Sequence, residues 1–178
     1  MLTRRLGRYR SDVSVQSSVF QGLQSTEGNF SRMINQKTHL FHLFIFNDNI
    51  NQFQDAILHP HDHKYHTTGG GNATIRPHQP NGRAIGIPTG PRFNSLDTTY
   101  QLFGRKMSVK HIIDYAIQRI IMHLIQYTTI DTITYSANQD GLLGLGIFQH
   151  STGQDVISYI TQQIHSIPTL LKKARYVN

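Results

Sequence analysis

Three short segments carry residue types able to hold a ligand through hydrogen bonds. Asn47-Asp48-Asn49 offers amide and carboxylate groups to a ribose or a base edge, although Asx turns draw on the same residues. Gly69-Gly70-Gly71-Asn72-Ala73 would expose backbone N–H groups to an anion, as phosphate-cradling loops do; three glycines serve equally as a flexible connector. Thr89-Gly90 would add a hydroxyl and amides to a phosphate, or simply end a strand. Ser136 opens another polar, glycine-containing stretch, and Phe148 and Phe93 carry rings suited to stacking on a base or to filling a core. No cofactor is called for: the glycine run lacks the Walker A lysine and the spacing of a GxGxxG turn.

Histidine is the other chemically active residue type. His59-Pro60-His61-Asp62-His63-Lys64-Tyr65-His66 packs four imidazoles into one run. In an extended chain His59, His61 and His63 would share a face able to hold zinc or nickel. Pro60 and the polar setting favour a solvated loop, and no metal site is called. Nothing pairs these histidines with a nucleophile.

These segments need elements to position them. Leu40 to Phe46 is apolar on both faces, the pattern of a central strand, and it runs into Asn47-Asp48-Asn49. Gln52 to Leu58 is long enough for a short helix, and Asn72 to Arg76 for a short strand. Arg83 to Pro88 reads as a buried strand. Ser108 is a fitting N-cap for a helix through Ile125, whose Val109, Ile112, Ile113, Ala116, Ile117, Ile120 and Leu124 recur at helical spacing. Ile130 to Tyr135 is rich in β-branched residues, a strand signature. Gln154 to Ile167 predicts a second helix, with Pro168 marking its end or a kink. Strands 83–88 and 130–135, joined through a helix, must run parallel. Asn47-Asp48-Asn49, Pro88-Thr89-Gly90-Pro91 and Ser136-Ala137-Asn138-Gln139-Asp140-Gly141 then follow strand C-termini, where open α/β sheets bind ligands.

Composition bounds the function. The 178 residues contain no cysteine, which excludes disulfides, a thiol nucleophile and cysteine-ligated zinc. Seventeen Lys+Arg against ten Asp+Glu give a net charge of +7, favouring a polyanionic partner. The longest dense apolar run falls far short of the ~20 residues of a transmembrane helix. Residues 1–38 read as a basic, poorly structured extension. Its Arg4, Arg5, Arg8 and Arg10 would contact RNA or a large assembly. The same Arg-rich, acid-poor composition fits mitochondrial targeting, and the missing apolar h-region argues against secretion. Residues 172–178 read as a basic tail.

The asparagine turn, Gly69 to Ala73, and Ile85-Gly86-Ile87-Pro88-Thr89-Gly90 before a helix and a strand together resemble the macro domain. The same segments, with 136–148, are also similar to uncharacterised proteins of phages and large viruses. The macro resemblance covers about residues 40–167 and implies an ADP-ribose-binding fold. On that resemblance Gly70, Gly71 and Gly90 would hold the diphosphate, and Asn47, Asp48 or Asn49 the ribose or base. An enzymatic version would hydrolyse an ADP-ribosyl bond with a water oriented by Asn49 or Asp48. The usual helix after the glycine loop is replaced here by Arg76-Pro77-His78-Gln79-Pro80. The expected architecture is α/β and three-layered over 39–171, a mixed, mostly parallel sheet flanked by helices. The expected function is a binding module for a nucleotide-derived ligand. The alternative is a non-catalytic structural subunit of an RNA–protein, membrane or virion assembly.

Overall fold

A computed structural model describes residues 12–22, 24–144 and 151–176. The fold is α/β, built on a four-stranded sheet in the order β1 (Ser14–Val19), β6 (Thr132–Ala137), β2 (His42–Asn49), β3 (Ala84–Gly90). All three pairings are parallel, so the strand C-termini lie along one edge. A separate antiparallel hairpin, β4 (Thr99–Leu102) and β5 (Arg105–Ser108), precedes the long helix α3 (Val109–Gln126). Ser108 caps that helix, its hydroxyl accepting from the His111 N–H.

Alternation along β2 divides the interior into two layers. Leu43 and Ile45 face a large core with α3 and α4 (Gln154–Tyr176), where Ile112, Ile113, Ile117, Ile160 and Ile164 meet Ile133 and Tyr135 of β6. Phe44 and Phe46 face the other way, onto a smaller core made by Phe30, Met33, Ile34, Ala73 and Ile75. These come from the short helix α1 (Phe30–Met33) with its following residue, and from a 3₁₀ segment, Gly71–His78. Phe30 meets Phe44 edge-on at a centroid distance of 5.0 Å. The remaining helix, α2 (Ile50–Leu58), leaves β2 directly and buries Ile50 and Phe53 in the larger core.

Four expectations are corrected. Within the first 38 residues, the described part is structured: β1 pairs with β6 across 118 residues of chain. Its Val13, Val15 and Val19 face the large core, while the alternating Ser14, Gln16 and Ser18 hide that pattern in a polar composition. Phe30 is fully buried. Asn72 to Arg76 is part of the 3₁₀ segment rather than a strand, because it lies over the sheet face with Ala73 and Ile75 packed inward. Pro168 lies inside α4, which continues to Tyr176; Leu171, buried beyond the proline, keeps the helix on the core. Residues 172–176 of the expected tail are therefore helical, and Lys172 pairs with Asp12 at 2.8 Å. Arg4, Arg5, Arg8, Arg10 and Phe148 lie outside the described residues.

Candidate functional site

The parallel strands end at a cleft of about 660 Å³. It is lined by the ends of β1 (Val19, Phe20), β2 (Asn47, Asn49) and β6 (Ser136 to Gln139), by Gln52 of α2, and by Thr67 to Ala73 with Arg76; Gly144 completes it. The volume falls within the range of small-molecule sites. Asn47, Asn49, Gly69, Gly70, Gly71, Asn72, Ala73 and Ser136 thus line one cleft.

The glycine loop is fixed from below. Arg76 rises from the 3₁₀ segment, donates Nη1 to the Thr67 carbonyl at 2.7 Å, and grips Asp48 with Nη2 and Nε. A Cβ on Gly69 would stand 2.8 Å from the Ala73 Cβ and 2.9 Å from Arg76 Nη2, so only glycine admits this approach. The Gly69 N–H donates to the Ala73 carbonyl and the Ala73 N–H to the Gly70 carbonyl, closing the loop on itself. The first N–H groups of the 3₁₀ segment, those of Gly71 and Asn72, have no carbonyl one turn upstream. A Cβ at Gly70 or Gly71 would meet nothing within 4 Å, so their backbone faces open space.

Asn72 buttresses the opposite wall. Its Oδ1 accepts from the Phe30 N–H and its Nδ2 donates to the Ser136 hydroxyl, both at 3.0 Å, linking α1, the glycine loop and β6. Asn49 is the N-cap of α2, with Oδ1 accepting from the Gln52 N–H at 2.9 Å. Asn47 donates Nδ2 to the Gly144 carbonyl, which leaves its Oδ1 buried without a hydrogen bond. The Oε1 of Gln52 is likewise buried and unpartnered. Two orphaned acceptors therefore belong to residues lining one cleft. Such groups cost about 1–3 kcal/mol each until a donor arrives.

Asp48, Thr89 and Gly90 do not line the cleft. Asp48 points to the face of Phe44 and Phe46, where its carboxylate takes Arg76 and the Asn49 N–H. Burial pushes that carboxyl above its ordinary range, against the pull of the Arg76 hydrogen bonds and charge. Thr89 is fully buried; its carbonyl accepts from the Thr152 hydroxyl at 2.7 Å. The phosphate-loop expectation for Thr89 and Gly90 fails because β3 lies at the sheet edge beyond β2, away from the β1, β6 and β2 ends that enclose the space. Phe93 is fully buried in the large core.

The histidine run is folded, not extended. Asp62 caps a 3₁₀ turn at His63–Tyr65, and His59 stacks on Tyr65 at 3.7 Å. His66 donates Nε2–H to the His59 carbonyl at 2.9 Å and accepts from the Gln79 amide at Nδ1. Among the described residues, no three His, Cys, Asp or Glu side chains gather as a metal site.

Sequence reasoning missed Phe20, Gln52, Thr67 and Arg76. Gln52 had a signal: it stands three residues after Asn49, the capping-box spacing. Arg76 and Phe20 had none, since each is placed by contacts distant in sequence. Compared with known proteins, the chain matches no family model, no curated protein and no solved structure.

Proposed function

We propose that the chain is a binding module for a nucleotide-derived ligand, ADP-ribose or a relative, held in the strand-end cleft. The observation that carries this reading is a cavity of nucleotide size with two lining residues, Asn47 and Gln52, that each keep a buried, unpartnered acceptor, Oδ1 and Oε1. Both need donors, which ribose hydroxyls or a base amino group supply. Across the cleft, the Gly71 and Asn72 N–H groups offer donors to a diphosphate. The glycine-loop resemblance to macro domains points the same way.

The lining favours binding over hydrolysis. The Asp48 carboxylate is consumed by Arg76 and Asn49, and the Asn49 Oδ1 by α2, so neither oxygen set stands ready to orient a water. Arg76, the one charged residue in the lining among the described residues, is committed to Asp48 and Thr67, so the diphosphate would rest on backbone amides.

Equilibrium dialysis of the full chain with ADP-ribose, alongside Asn47→Leu and Gln52→Leu, tests the assignment. Each variant removes one orphaned acceptor without touching the Asn49 cap. Binding weakened about tenfold in each, one hydrogen bond's worth, would support the reading. Affinity equal to wild type in both would remove it.

A further inference from the structure

Phe20 stands at the rim of the cleft, 41% exposed, and is the one aromatic side chain in the lining among the described residues. It belongs to neither hydrophobic core. Its backbone is nevertheless held firmly. Val19, the preceding residue, pairs with Ala137 at the end of the β1–β6 ladder. Gly28, at φ +72°, folds back so tightly that a Cβ there would stand 1.9 Å from the Val19 carbonyl oxygen and 2.5 Å from the Phe20 Cα. An exposed ring in the lining, unused by either core, is available to whatever fills the cleft.

We propose that Phe20 is the stacking platform for the ligand's aromatic base, an inference that rests on the nucleotide-binding reading above. The neighbouring strand end supplies polar groups, Ser136, Asn138 and the exposed amide of Gln139. A nucleobase matches both features, laying its π face on the ring and turning its polar edge to amides. A purely apolar ligand would leave those amides unpaired, and a sugar phosphate would leave the ring bare. The cleft therefore discriminates ligands with a base from those without one.

The chain contains no tryptophan, so Phe20→Trp places a single indole at the rim. The full-length variant is titrated with ADP-ribose, AMP and ribose 5-phosphate while emission is followed. Wild type and Phe20→Ala are measured by calorimetry with the same three compounds. Stacking on an aromatic ring predicts roughly 5- to 100-fold weaker binding of ADP-ribose and AMP by Phe20→Ala. Ribose 5-phosphate should bind both proteins equally, and only the two base-containing compounds should change the indole emission. If ADP-ribose binds wild type and Phe20→Ala alike and the emission stays constant, the platform is wrong while the module stands. If neither ADP-ribose nor AMP binds wild type, both fall together.

Discussion

Arg76 and Asp48 form a buried ion pair beneath the glycine loop, Nη2 lying 2.7 Å from Oδ1 and Nε 3.3 Å from Oδ2. Their side chains are 6% and 0% exposed, and the guanidinium also sits 5.8 Å from the Phe46 ring. One pair thus joins the central strand to the loop that walls the cleft. Removing only the cation strands a carboxylate in the core. Arg76→Met should lower stability by about 3–5 kcal/mol. The double variant Asp48→Leu/Arg76→Met should recover most of that loss. Urea denaturation of the three proteins checks both. A single variant as stable as wild type would show that the pair has little structural role.

The N-terminal segment provides a second test. A chain beginning at residue 39 loses β1 and the cover that Phe30, Met33 and Ile34 give to Phe44 and Phe46. Burial of each large apolar side chain contributes about 2–4 kcal/mol, against a total near 5–15 kcal/mol for a domain. The truncated protein should therefore show no cooperative unfolding by circular dichroism. A sharp transition within a few degrees of the full chain would mean that β1 is dispensable.

Histidine burial sets the response to acid. His39, His42, His66, His78 and His123 all lie below the ordinary imidazole value, burial being the largest cause in each. Arg83 adds to it at His39, His42 and His78, and Arg119 at His66 and His123. The unfolded chain takes up these protons as pH falls through about 6.5, while the folded chain resists them. Stability is therefore full above that pH and declines below it, toward the folded values. His123 donates Nε2–H to the Gly82 carbonyl at 2.8 Å and stacks on Tyr127. Urea midpoints should fall between about pH 7 and pH 5, and His123→Gln should flatten the decline. A midpoint that rises on acidification would contradict this account.

Much of the fold is legible in the sequence because its signals are local. The apolar run at β2, the Ser108 cap with its isoleucine spacing, and the β-branched β6 each declare themselves within one element. β1 does not: its valines alternate with serine and glutamine, and its strand partner among the described residues is β6, far along the chain. The 3₁₀ segment was hidden because Thr74 and Ile75 favour a strand locally, while packing over Phe44 and Phe46 decides otherwise. In the site, the asparagines that end β2 and the glycine loop are legible from residue type alone. The division of labour was not: Asp48 to Arg76, Asn49 to the α2 cap, Asn47 toward the cleft. It depends on which side of β2 each residue faces relative to partners from other segments.

The cleft itself is tested most directly by calorimetry of the full chain with ADP-ribose, comparing wild type with Gly70→Val. A Cβ at position 70 meets no neighbour within 4 Å, so the fold should persist with valine there, while its side chain fills the space through which a diphosphate reaches the loop amides. The account predicts saturable heat for wild type and none for Gly70→Val, with both proteins unfolding at similar temperatures. Because Arg76, the one arginine in the lining among the described residues, is already paired, raising the salt should weaken wild-type binding far less than the steep loss typical of multiple basic contacts. No heat from wild type, or equal binding by Gly70→Val, would contradict it.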